Sequence, residues 1–188
     1  MTRNILCVVA VALVSCSAHQ VDSGPFAEVR PPTLGAGAVP HTASTLTDLN
    51  EDRVTTGALE AARLTALLGS AGYLAGTERS FVSNSSPLDR AATRVLAFEH
   101  DGGAAEYLRW VQDHPGDLIG DAEPSKRSGQ DGGPSVYVHT PNGCCAKDIP
   151  KTLAVWQRDR YVLEVIANGS YAKDKMVREL STEMDRLV

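Results

Sequence analysis

Two apolar periodicities alternate along the chain. Leu64, Leu67, Leu68 and Ala71 recur at i, i+3, i+4 and i+7 and predict a helix over 57–71, with Glu60 and Arg63 off its apolar face. Gly72, able to take a positive φ, marks the stop. Ala104, Tyr107, Leu108 and Val111 repeat the spacing over 103–113, with Asp101 placed to cap that helix and Pro115-Gly116 to end it. Met176, Val177, Leu180, Met184 and Leu187 form the stripe of a last helix over 172–187. Asp48-Leu49-Asn50-Glu51 has the form of a capping box and predicts a short helical turn where the folded part opens.

The other period is two. Residues 73–82 turn extended, with Thr77, Phe81 and Val82 suiting a strand, and Asn84-Ser85-Ser86-Pro87 breaks it. Over 91–99, Val95 and Ala97 point one way and Leu96 and Phe98 the other, which predicts an interior strand covered on both sides. A short strand follows at 135–140. The clearest hairpin pairs 152–158 with 161–168 across Asp159-Arg160. Its second arm sets Tyr161, Leu163, Val165 and Ala167 on one face and Val162, Glu164, Ile166 and Asn168 on the other. The stretch 116–134 is polar and glycine-rich and predicts a long exposed loop. With no repeated βα alternation, the order predicts an α+β fold, a mainly antiparallel sheet of about five strands packed by three helices.

The N-terminal end follows neither period. Arg3 precedes an unbroken apolar run from Ile5 to Val14, small Ser15 follows, then Cys16. A charged start, a short apolar run and a small residue at the cut make an export signal. Leu13-Val14-Ser15-Cys16 resembles the lipobox of bacterial lipoproteins, which implies that Cys16 carries a diacylglycerol and opens the mature chain. The run stops well short of the ~20 residues of a transmembrane span. Two acyl chains convert marginal membrane binding into stable anchoring. Beyond Cys16 the composition is Ser, Pro, Gly, Ala and Thr, as in Val29-Arg30-Pro31-Pro32 and Gly35-Ala36-Gly37. A flexible tether of roughly 30 residues reaches about 30 Å. The expected organisation is a signal peptide over 1–15, a lipidated N-terminus and linker over 16–47, and a single domain over 48–188.

Charge and cysteines narrow the partners. The formal charge is -5 and becomes one unit more negative when Arg3 leaves with the signal. An acidic domain has no electrostatic basis for binding nucleic acid. Apolar residues make up 43% of the 188 residues, enough for a packed core. Of the four cysteines, Cys7 leaves with the signal and Cys16 takes the lipid, so Cys144 and Cys145 remain, adjacent, in an oxidising compartment. Adjacent Cα atoms stand about 3.8 Å apart, below the usual disulfide range, so a vicinal bridge is strained and readily reduced. The alternatives are two free thiols, thiols paired between molecules, or a metal site recruiting His139 and Asp148. That last set lacks the paired C-x₂-C spacing of structural zinc sites.

Catalytic signatures are sparse. Gly69-Ser70-Ala71-Gly72 and Asn168-Gly169-Ser170 are not nucleophile elbows. No H-E-x-x-H, Walker loop or G-x-G-x-x-G occurs. His100-Asp101 and Asp113-His114 fall at helix boundaries, where capping explains them. Glu60, Glu106, Glu179, Glu183 and Asp185 are expected on solvated helix faces. Trp110 and Trp156, with Tyr107, Tyr137 and Tyr161, are expected in the core, and a pocket for an apolar or sugar ligand is the alternative. Trp110 lies beside its helix stripe, so partial exposure is expected there, and it joins His139 as a candidate ligand contact.

Three further stretches carry a resemblance. Ala71-Gly72-Tyr73-Leu74-Ala75-Gly76-Thr77-Glu78-Arg79, then Val95-Leu96-Ala97-Phe98 with Ala104-Ala105, and Arg160-Tyr161-Val162-Leu163 are similar to a pattern in actinobacterial, mycobacterial-type secreted lipoproteins. The resemblance implies a surface lipoprotein and no chemistry. The sequence therefore points to a non-enzymatic protein, lipid-anchored on the extracytoplasmic face of the cell membrane. It would bind a ligand or protein partner in the envelope without a cofactor. A small redox or metal-binding protein using Cys144-Cys145 with His139 is the alternative.

Overall fold

The computed structural model describes residues 42–83, 86–119, 125–127, 133–141 and 149–186. Cys16, Cys144 and Cys145 lie outside the described residues, as do the signal and most of the tether.

The described chain builds one antiparallel sheet of seven strands in the order β1-β2-β3-β7-β6-β5-β4. The strands are β1 (Thr42–Leu49), β2 (Tyr73–Ser83), β3 (Arg90–Phe98), β4 (Ser125–Arg127), β5 (Ser135–His139), β6 (Lys151–Arg158) and β7 (Tyr161–Asn168). Helices α1 (Glu51–Thr55), α2 (Ala61–Ser70), α3 (Asp101–Asp113) and α4 (Pro115–Ile119) precede β4, and α5 (Asp174–Asp185) follows β7.

The expected α+β class and the antiparallel sheet hold, with two more strands than anticipated. Residues 42–47, expected in the tether, belong to β1, which pairs along β2 from Thr42↔Ser83 to Leu49↔Gly76. Thr42, Thr45 and Thr47 are β-branched and suit an edge strand, although their polarity reads as linker composition. The expected loop at 116–134 holds α4 and the three-residue β4, whose Lys126 pairs with Tyr137 of β5. Pro115 begins α4 instead of only ending α3, because its missing N–H goes unneeded at a first helical position.

Caps shift by small steps. Asn50, not Asp48, caps α1, its Oδ1 accepting the Arg53 N–H at 3.0 Å. Gly57 at φ 84 keeps 57–60 out of the right-handed helix, so α2 starts at Ala61. Asp101 is the first residue of α3 and His100 its N-cap, with no side-chain bond. The acid nevertheless stands where a helix N-terminus favours negative charge. Gly72 has φ 70, as its place after α2 requires.

Each sheet face carries its own core. On one, Phe81, Val95, Trp156, Leu163 and Val165 pack against Val177, Leu180 and Met184 of α5. On the other, Leu96, Phe98, Leu153, Val155 and Val162 pack against Val54, Leu64, Leu68, Tyr107, Val111 and Ile119 from the four N-terminal helices. β3 and β7 lie inside the sheet and feed both cores, which is why both read as apolar on two faces. Full burial of a leucine such as Leu64 or Leu153 contributes about 2–3 kcal/mol. Gly103 brings α3 against the end of α2, since a methyl group there would run into the Ala71 carbonyl.

Candidate functional site

The sheet register draws a line of charge through the apolar interior. Glu78 of β2 stands opposite Arg94 of β3, and Arg94 opposite Glu164 of β7. All three share the face that carries Leu96 and Phe98, because side chains alternate along a strand. Arg94 Nε donates to Glu78 Oε2 at 2.6 Å, while its Nη1 lies 3.8 Å from Glu164 Oε2. Ser80 Oγ donates to the other Glu78 oxygen at 2.6 Å.

Glu164 is 0% exposed, and Tyr107 of α3 donates its hydroxyl to Oε1 at 2.8 Å. Oε2 has no hydrogen bond. Aromatic rings close the site, with Phe98 5.5 Å from Tyr107 and 5.7 Å from Tyr73, centroid to centroid. Tyr73 in turn donates its hydroxyl to the Leu49 carbonyl at 2.8 Å, tying the end of β1 to the site.

Burial and a single shared cation set the proton affinities. Burial raises the Glu164 carboxyl above its ordinary range, the Glu78 charge adds to this, and Arg94 and Tyr107 offset only part of it. Burial also acts on Glu78, but the Arg94 charge and the hydrogen bonds from Ser80 and Arg94 outweigh it and hold Glu78 low. Arg94 is desolvated, yet Glu164 and Glu78 together keep its proton more firmly bound than usual. Burial, then the Glu164 charge, push the Tyr107 hydroxyl well up. Glu78 thus neutralises Arg94 at hydrogen-bond distance, and Glu164 is left with a looser ion pair. Sealed from solvent, Glu164 can hold a proton and fix strand register, but no dissolved substrate reaches it.

The anticipated site residues are distributed elsewhere. Trp110 is buried at 7%, not partly exposed, because its ring stacks on His114 at 5.2 Å and 21° within the helix-side core. Its Nε1 has no partner. His114 Nδ1 lies 3.0 Å from the Trp110 carbonyl, so the neighbouring Asp113 is not what orients the ring. His139 ends β5 opposite Lys151. Tyr107, Tyr137 and Trp156 are buried, as expected for core aromatics. Cys144, Cys145 and Asp148 fall outside the described residues.

Two carboxylates depart from the solvated surface. Asp185 accepts Trp156 Nε1 at 2.9 Å and pairs with Arg158 at 2.7 Å, and the Arg158 hydrogen bonds lower its pKa. Asp117 of α4 is buried, and its carboxylate accepts the Glu60 N–H at the start of α2. Burial and the nearby Glu60 charge raise its pKa. The row of Glu78, Arg94 and Glu164 is the part that pattern reading missed. Its one signal was Glu164 itself, a charged residue sharing a strand face with Val162 and Ile166.

Among the described residues, no helix is long and apolar enough to cross a membrane. No protein-family profile matches the sequence, and no curated protein matches it. Among solved structures, the fold is similar to the extracellular domain of PknH from Mycobacterium tuberculosis, at 12% identity over 79% of each chain and a TM-score of 0.45.

Proposed function

We propose that the chain is a lipoprotein held on the extracytoplasmic face of the cell membrane through Cys16. Its α+β domain binds a ligand or protein partner of the envelope without catalysing a reaction. The observation that carries this reading is Leu13-Val14-Ser15-Cys16 directly behind a short apolar run with a single positive charge before it. The low-periodicity stretch that follows supplies a tether between anchor and domain. Binding in place of turnover is supported by the enclosure of Glu164, whose raised carboxyl is a group otherwise suited to proton transfer.

Detergent phase partitioning of the native protein, with mass analysis of its N-terminal peptide, tests the anchor. The expected result is recovery in the detergent phase with diacylglycerol on Cys16, and a Cys16→Ala variant in the aqueous phase. An unmodified Cys16 thiol, or wild-type protein wholly in the aqueous phase, overturns it. Thiol titration with and without reductant tests the other reading, since a reducible Cys144–Cys145 bridge with a defined potential would favour a redox protein.

A further inference from the structure

We propose that Thr77, Arg79 and Thr93 form a binding site for a singly charged oxyanion, a carboxylate or a phosphodiester group, on the β2–β3 ladder. The three belong to the sheet face covered by α5, opposite the row of Glu78, Arg94 and Glu164. Arg79 stands directly across from Thr93, and Thr77 lies two residues along β2, opposite Val95. Cβ atoms directly opposite one another are about 5 Å apart and diagonal ones about 7 Å, so the three side chains occupy one patch.

What marks the patch is that three of its buried polar atoms lack a hydrogen-bond partner. Thr77 Oγ1, Arg79 Nε and Thr93 Oγ1 are all buried and all lack a hydrogen-bond partner. Arg79 has no ion pair among the described residues, whereas Arg63, Arg94 and Arg158 each pair with a carboxylate. A buried donor without an acceptor carries its full desolvation penalty, and folded proteins leave few such groups. Here three adjoin, every one of them able to donate, and the carboxylate nearest in register, the exposed Asp48 opposite Thr77, bonds none of them.

That inventory selects the ligand. One guanidinium neutralises one negative charge, and its planar fork matches two equivalent oxygens. Hydroxyls from both strands reach the remaining lone pairs. Phe81, Val95 and Val165 on the same face make the surroundings apolar, which strengthens each bond to the anion. Thr77 and Arg79 are only half-buried, so the long arginine side chain is the part that swings aside, a nanosecond rotamer motion, to admit the group.

This deepens the ligand-binding half of the reading above and rests on it. The anchor is tested by phase partitioning, so the two can fail separately. The experiment follows the arginine Nε–H signals of the full-length chain in detergent by ¹H–¹⁵N NMR. Sodium acetate and dimethyl phosphate are titrated in turn against sodium chloride at equal ionic strength. A saturable shift of Arg79 Nε–H with Arg158 unmoved is expected, and the probe that produces it identifies the group. Thr93→Val and Thr77→Val, each checked for an unchanged fold by its remaining spectrum, should each weaken binding by roughly tenfold or more, the effect of one lost hydrogen bond to a charged group. A response that is linear, that appears equally at exposed Arg63, or that survives both variants undiminished overturns the site. So does no response to either probe, the result expected if water fills the patch.

Discussion

Replacing Thr93 by valine exchanges one hydroxyl for a methyl of nearly the same shape at a position that is 0% exposed. The hydroxyl has no partner in the folded chain, while in the unfolded chain water satisfies it. Its burial therefore opposes folding by about 1–3 kcal/mol, the desolvation penalty of an unpaired polar group. Valine removes that penalty, keeps the β-branch that suits a central strand, and fills the same space between Arg79 and Val165. Thr93→Val is thus expected to stabilise the protein by about 1 kcal/mol or more, raising the melting temperature by about 2–4 °C per kcal/mol for a domain of this size. Urea unfolding without added anion reads it as a higher midpoint at unchanged slope. Thr55→Val is the control of opposite sign. It deletes a hydroxyl that donates to the Asp52 carbonyl at 3.1 Å, and should cost about 1 kcal/mol. A Thr93→Val protein destabilised by about 0.5 kcal/mol or more would show that the hydroxyl is satisfied in solution, and would remove the reasoning from unpaired donors.

Further outcomes follow from the two cores. Gly103→Ala should cost about 2–3 kcal/mol by driving a methyl into the Ala71 carbonyl, whereas Gly69→Ala, with open space around it, should gain up to about 1 kcal/mol. Equal effects in thermal unfolding would contradict the close approach of α3 to α2. Glu164 has a raised carboxyl pKa, so between its ordinary and raised values the folded chain holds the extra proton and stability falls as pH climbs. Glu164→Gln removes this slope, and wild-type urea midpoints should decline relative to the variant as pH climbs above the ordinary carboxylate range, whereas parallel profiles would refute it. Trp156→Phe loses the 2.9 Å bond to Asp185 and should cost about 2 kcal/mol by thermal unfolding, with a loss under about 0.5 kcal/mol counting against it.

Periodicity made most of the fold legible, because β2, β3, β6, β7, α3 and α5 each bury enough apolar surface to impose a period on the sequence. β1 escaped, since an edge strand rich in threonine carries no apolar alternation and shares its composition with a linker. β4 and α4 escaped because elements this short fix too few positions to repeat. The caps moved by one or two residues where backbone conformation decided, as at Gly57. Of the candidate sites, aromatic burial was predictable from ring size, but Trp110 was misplaced because its ring is covered by His114 at the C-cap of α3, a contact the stripe spacing does not reveal. The row of Glu78, Arg94 and Glu164 required the strand register, which places residues from three distant segments side by side. The unsatisfied trio of Thr77, Arg79 and Thr93 required the same register and also the absence of acceptors, which no spacing reveals.

The strand order has a consequence for how the chain assembles. Every adjacent pair joins strands that are consecutive in sequence except β3–β7, so the sheet consists of two meanders, β1 to β3 and β4 to β7, joined along a single seam. Hairpins such as β2–β3 and β6–β7 can form from local contacts, but the seam waits on closing the long intervening stretch, and this delay should govern the folding rate. Arg94 and Glu164 meet across that seam. A slip of one residue would send one of them to the opposite face and strand a desolvated charge, a penalty of several kcal/mol. The ion pair therefore proofreads the joining of the halves, rejecting misaligned dockings that hydrophobic contact alone would tolerate.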